Sequence, residues 1–121
     1  MAVTAITPKV LKRNTVDVDS LVMTAPTAAA DGFLVDVSNC ADHRILLAFQ
    51  NTDVGAQTFT VKKGNGLQGV ADLASGSIAA SKFATVVVES GAFKNISGTN
   101  KGKILIIPSV AGVKMAAVVL P

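Results

Sequence analysis

Short apolar runs alternate with small polar turns over most of this chain. The pattern predicts strands at TVDVDSLVM (15–23), FLVDV (33–37), RILLAFQN (44–51), QTFTVKK (57–63) and KFATVVVES (82–90). In the first of these, valines alternate with aspartates, which is the period of a half-buried strand. Short strands separated by turn residues at regular spacing are typical of a β-sandwich or a small barrel.

Two neighbouring segments give the clearest local prediction. The turn TDVGA (52–56) links RILLAFQN to QTFTVKK, in which Phe59 and Val61 alternate with polar residues. We therefore predict that these strands pair as a hairpin, with Phe59 and Val61 facing inward. The glycine-rich segment 64–81 predicts a loop with one short strand around residues 70–73.

The segment GKILIIPSVAGVKMAAVVLP (102–121) is almost wholly apolar. A membrane helix needs about 20 apolar residues without strong interruption. Here Pro108, Gly112 and Lys114 interrupt the run. The segment therefore predicts two strands and a turn, which we interpret as a closing hairpin, and we expect no membrane partner.

Both faces of the last predicted strand are apolar. Met115, Ala117 and Val119 fall on one face, and the other face holds three further apolar residues, Ala116, Val118 and Leu120. One face must fill the core. We expect a neighbouring subunit to cover the other, with coverage by the N-terminal residues as the alternative.

Residues 1–14 are predicted to form an extended arm in front of a single β-sandwich domain, residues 15–121. Pro8 and the basic residues Lys9, Lys12 and Arg13 interrupt any regular pattern, and no long apolar run indicates a signal peptide. Such an arm can add along a neighbour's sheet edge. The alternative is a frayed tail.

Composition adds an uneven charge. The 121 residues carry a net charge of +3, and half of them are apolar, with five Phe and no Trp or Tyr. Residues 1–61 hold four basic and six acidic residues, whereas residues 62–121 hold seven lysines and two acids. The asymmetry indicates either an acidic partner or lysines scattered for solubility.

Residues for catalysis or metal binding are scarce. The sequence CADH contains the single cysteine, Cys40, and the single histidine, His43, whereas a structural zinc site needs about four such ligands. KKGNGLQG (62–69) does not match a phosphate-binding loop. Stacking platforms for bases or sugars need exposed aromatic residues, which are few here. We expect no enzymatic activity, no cofactor, no metal and no nucleic-acid partner.

The order of features resembles the small virion structural proteins of tailed bacteriophages, of the capsid decoration or cement type. The resemblance covers residues 33–121, through RILLAFQNTDVGAQTFTVKKGNG, SGSIAASKFATVVVESGAFKN and the apolar segment 102–121. It implies a β-sandwich or jelly-roll subunit, without catalysis, on the outer capsid surface. Its implied partners are the major capsid protein and copies of itself, most often in a trimer, and its implied site of synthesis is the host cytoplasm.

Two alternatives to a capsid decoration protein remain open. One is another repeated phage part, such as a tail or neck subunit. The other is a β-sandwich module that binds a ligand or a carbohydrate. The residues predicted to form the interface are three basic ones from the arm and three apolar ones from the last strand: Lys9, Lys12, Arg13, Ala116, Val118 and Leu120.

Overall fold

A computed structural model describes residues 3–19, 21–38 and 44–121. Within these residues the chain is nearly all β, which confirms the predicted fold class, a single-domain β-sandwich. The elements in chain order are β1 (Thr4–Ile6), β2 (Lys9–Val10), β3 (Phe33–Asp36), β4 (Ile45–Asn51), β5 (Phe59–Val61), β6 (Leu73–Ala74), β7 (Phe83–Val86), the single helical turn α1 (Ser90–Phe93), β8 (Lys103–Pro108) and β9 (Val113–Val119).

Two mixed sheets form the layers of the sandwich. The first has the order β1-β3-β8-β5-β6, and the second has the order β2-β9-β4-β7. The N-terminal strands run parallel to their neighbours, β1 beside β3 and β2 beside β9. All other pairs are antiparallel.

The core lies between the two sheets and is built from the inward side chains of alternating positions. Phe49 of β4 and Phe59 of β5 stack across it, with ring centroids 3.6 Å apart and an interplanar angle of 12°. Phe59 and Val61 are both buried, as their alternation with polar residues predicted. Burying one such large apolar side chain stabilises the fold by about 1.5–3 kcal/mol.

The predicted hairpin of β4 and β5 is wrong, although both strands exist. β4 lies in the second sheet and β5 in the first, so the exposed link between them passes from one sheet to the other. The buried Asn51 organises this crossing: its side-chain amide donates to the carbonyls of Gly55 (2.9 Å) and Ile78 (2.8 Å). Its Oδ1 accepts the amide of Asp53 (2.9 Å). A buried amide with these partners specifies the crossing, because leaving it unpaired would be costly.

The closing hairpin is wrong for the same reason. β8 belongs to the first sheet and β9 to the second, so the turn between them also crosses from one layer to the other. Met115 and Ala117 face the core, as one predicted face required. Strand pairing therefore follows the two layers rather than the order of the chain.

The strand predicted over residues 15–23 is absent. Val16 and Val18 are 90% and 76% exposed, and the described residues of this stretch, 15–19 and 21–23, hold no strand. Asn14 and Asp19 have positive φ values of 54° and 61°, which interrupt an extended backbone on both sides. The alternation of Val and Asp satisfies the period of a strand, but no sheet neighbour lies beside it.

Candidate interaction surface

The N-terminal residues form the edge of both sheets on one side of the sandwich. In β1, Thr4 pairs with Phe33, and its amide donates to the carbonyl of Gly32 (2.9 Å). Just after β2, the amide of Leu11 donates to the carbonyl of Val119 (2.9 Å). The segment is extended, as predicted for the arm, but its strands add to the sheets of its own chain.

Residues 12–19 and 21–23, here called the edge loop, leave the second sheet and return to it. The loop follows Leu11, which is bonded to the C-terminal end of β9. It ends before Thr24, which exchanges two backbone hydrogen bonds with Met115, of 2.9 and 3.0 Å. Both ends of the edge loop are therefore anchored on β9.

The edge loop carries large apolar side chains in solvent. Val16, Val18, Leu21 and Val22 are all exposed. Large exposed apolar surface on a soluble protein often marks a contact with another molecule, because single scattered residues are common but groups are not. Because both ends of the loop are anchored, these side chains are exposed on a segment whose ends are fixed to the sheet.

The predicted basic residues lie on or next to this loop. Lys12 and Arg13 are exposed within it. Lys9, in β2, forms an ion pair with Asp17 of the loop, with 3.4 Å between Nζ and Oδ1. Exposed pairs of this kind contribute little to stability, but this one offsets part of the local positive charge. The structure thus brings the basic candidates together with apolar residues that the sequence had placed in a strand.

The apolar candidates of β9 were predicted to be covered by a neighbouring subunit or by the N-terminal residues. Ala116 and Val118 are only 4% and 2% exposed within the single chain. A pocket of about 250 Å³ beside β9 is lined by residues that include Ile6, Val22 and Ala116, so the N-terminal residues and the edge loop flank this face. The expected neighbouring subunit is not required to cover it. Leu120 alone of the three is exposed.

The opposite side of the sandwich ends in β6 and β7. The outward face of β7 presents Phe83, which is 62% exposed, and Thr85. Val87 follows the strand on the same face and is also exposed. Between β6 and β7 a cleft of about 190 Å³ reaches Phe59 in the core. This side was not identified as a candidate from the sequence, although the charge-free run FATVVV (83–88) was a usable signal.

Two carboxylates are tied into local turns. Asp72 accepts the Lys62 ammonium group and the Lys63 amide, both at 2.7 Å, and these bonds hold the pKa of Asp72 below its ordinary value. The hydroxyl and the amide of Ser38 donate to Asp36 and lower its pKa in the same way. Both carboxylates therefore take part in local hydrogen bonds.

The described residues show no grouping of side chains for metal chemistry. In residues 3–19, 21–38 and 44–121, no three His, Cys, Asp or Glu side chains are placed to share a metal ion. Cys40 and His43 lie outside these ranges. The same ranges contain no helix with the length and apolar character of a membrane span.

Comparison with known proteins gives no family for this chain. No protein-family model, no curated protein and no solved structure matches it.

Proposed function

We propose that this chain is a non-enzymatic structural protein of a tailed-phage virion, made in the host cytoplasm, which binds the major capsid protein on the outer capsid surface. The observation that carries the proposal is the edge loop, where exposed aliphatic side chains stand beside Lys12 and Arg13. The resemblance of residues 33–121 to capsid decoration and cement proteins supports the choice of partner.

The edge loop has the physical properties of a docking element. Burying Val16, Val18 and Val22 against a partner would remove apolar surface from water, at roughly 25 cal/mol per Å². Because the loop is anchored at both ends on β9, binding has less backbone entropy to remove. The nearby cations would steer the loop toward an acidic surface.

A carbohydrate-binding module is less well supported. All five phenylalanines lie in the described residues, and of these only Phe83 is strongly exposed. Phe83 stands on an edge strand, whereas sugar recognition by stacking uses an aromatic face in a groove. A tail or neck subunit would use the same kind of apolar loop, so the location on the particle decides between the two virion roles.

Immunogold labelling of the particles of a tailed phage that encodes this chain tests its location directly. Gold distributed over the head supports the proposal. Gold confined to the neck or tail overturns the capsid role in favour of the other repeated part. Particles without label overturn a virion role altogether.

Co-sedimentation of the purified chain with undecorated capsid shells then tests the edge loop. Val18→Asp is expected to weaken binding by about tenfold or more, equivalent to about 1.4 kcal/mol. The matched control is Val54→Asp, in the exposed turn after β4, which should bind normally. Replacing Lys12 and Arg13 by Ser should make binding less sensitive to salt, because salt screens the charged contribution. Equal binding by all variants would place the contact elsewhere.

A further inference from the structure

We propose that β7 pairs with β7 of a second copy of the chain, antiparallel, about a twofold axis at Thr85. The second sheets of the two copies would then form one continuous sheet. This inference does not rest on the virion role. It also differs from the threefold arrangement that the resemblance implies, because a twofold contact links two chains and no more.

The pairing of β7 with β4 shows which way its backbone groups point. The amide of Asn51 donates to the carbonyl of Lys82 at 3.0 Å, so the backbone amide and carbonyl of Asn51 are directed toward β7. Residues of an antiparallel strand alternate in direction. The backbone groups of Phe49 are therefore also directed toward β7, where they form hydrogen bonds with the opposite residue, Ala84. The pairing of β4 with β9 is consistent with this alternation. Met115 lies opposite Phe49, but its backbone forms hydrogen bonds with Thr24 instead of with Phe49.

The backbone amides and carbonyls of the alternate residues of β7 consequently point away from β4. Phe83, Thr85 and the following Val87 direct their amides and carbonyls to the outer side, where the described residues provide no hydrogen-bond partner. Their side chains also share the outward face, and all three are exposed. A bare row of backbone donors and acceptors is a template for another strand.

The edge lacks the features that normally discourage such pairing. Natural edge strands are often protected by a charged residue, a proline or a bulge within the strand. Between Lys82 and Glu89, the run FATVVV contains no charge, no proline and no glycine. Segments of about six residues with high β-propensity and no charge pair readily when exposed. A partner strand would satisfy this edge and cover it.

The sequence of β7 is complementary to itself in the antiparallel direction. Centring the pair on Thr85 places Phe83 of one copy opposite Val87 of the other, twice, on the same outward face. Aromatic and β-branched residues make favourable cross-strand pairs. Lys82 and Glu89 are exposed at opposite ends of the run, so antiparallel pairing brings unlike charges near each other, whereas parallel pairing would bring like charges together.

Sedimentation velocity over a concentration series tests the contact. The average mass of the full chain should rise from one chain toward two. Thr85→Pro removes the amide at the twofold axis, and proline is tolerated where the amide of an edge strand faces solvent. This variant should keep the mass of one chain throughout the series. A mass of one chain for the unchanged protein at every concentration would overturn the proposal.

Thr85→Lys provides a second test of the contact in case the proline variant does not fold. It keeps the backbone amide but places two ammonium groups face to face at the axis, so it should also abolish the rise in mass. The matched control is Thr99→Lys, at an exposed position in another loop, which should associate like the unchanged chain. Association that survives both Thr85 substitutions would show that the contact is elsewhere and would overturn the proposal.

A cross-link tests the register. Cα atoms of a hydrogen-bonded antiparallel pair lie about 5.5 Å apart, within the range of a disulfide. Thr85→Cys combined with Cys40→Ser should give a covalent dimer under mild oxidation. Val54→Cys in the same background is the control and should give none. Equal cross-linking of the two variants, or none at Thr85→Cys, would refute the pairing at this residue.

Discussion

The two sides of this sandwich treat their sheet edges differently. On one side the edge strands are β1 and β2, which are short and separated by Pro8, with Lys9 at the start of β2. On the other side, β7 lies in the charge-free run FATVVV (83–88), of which Phe83, Thr85 and Val87 are exposed to solvent. We call these the guarded edge and the bare edge. Proline, lysine and short strands discourage further pairing, so of these two edges the bare edge is better suited to accept a strand.

The guarded edge is also tied into the core, whereas the outward face of the bare edge is not. Ile6 of β1 is buried in the main hydrophobic cluster. Phe83 of β7 points outward, and the inward positions of that strand, Ala84 and Val86, are only partly buried. Substitutions at the guarded edge should therefore affect the stability of one chain, and outward substitutions at the bare edge should affect association.

The largest expected effect comes from deleting residues 3–10, which removes β1 and β2 together. The deletion exposes the core beside Ile6 and leaves β9 without its edge partner, so the free energy of unfolding should fall by more than about 3 kcal/mol. Urea denaturation followed by circular dichroism measures the loss. An unchanged midpoint would mean that these residues form an arm outside the folded domain, as the sequence predicted.

Ala116→Asp should have the next largest effect, because it buries an unpaired carboxylate under the edge loop. We expect a loss of about 3 kcal/mol or more. Thr85→Asp at the bare edge is the matched substitution, and it should change stability by less than about 0.5 kcal/mol, since Thr85 is exposed. If both variants were equally stable in urea, the contrast between the edges would be wrong.

Truncation of one side chain at each edge gives a finer comparison. Ile6→Ala should destabilise the chain by about 2–3 kcal/mol, since it leaves a cavity in the core. Phe83→Ala removes an exposed ring and should cost less than about 1 kcal/mol in dilute solution. Thermal unfolding of both variants at low concentration checks the order. The reverse order would place Phe83, not Ile6, in the structural core.

The smallest expected effect is a change in the stability of the chain at acid pH. Because hydrogen bonds from Lys62 and Lys63 lower the pKa of Asp72 below 3.8, its contribution to stability is present above that pH and is lost as the pH falls through the lowered value. Asp72→Asn should slightly lower the urea midpoint at pH 7, and this loss should shrink as the pH falls through the lowered pKa of Asp72. A loss of equal size at every pH would mean that the carboxylate charge contributes nothing.

Sequence periodicity located most strands, because alternation reports burial of one face. β3, β4, β5, β7, β8 and β9 all lie within segments that the pattern predicted, and β6 lies at the end of the short strand expected around residues 70–73. The pattern did not show which sheet each strand joins. A five-residue link such as TDVGA can close a hairpin within one sheet or connect two sheets, and the side-chain hydrogen bonds of Asn51 favour the connection between sheets.

The candidate surface was only partly predictable. Lys12 and Arg13 are exposed as expected, since charged residues in an irregular segment have little reason to be buried. Ala116 and Val118 are not at the surface, because the apolar second face of β9 is covered within the chain. Periodicity shows that a face is apolar, but it does not show what covers it.

The parallel pairing of β2 with β9 has a consequence for the order of events during synthesis. Lys9 lies opposite Val118, so β2 gains its sheet neighbour only after all the residues between β2 and β9 have been made. At about 5–20 residues per second, this delay is roughly 5–20 s. Contacts so distant in sequence also slow folding. β2 is therefore made well before it can become ordered in its sheet, and the nascent chain must stay unaggregated during that delay.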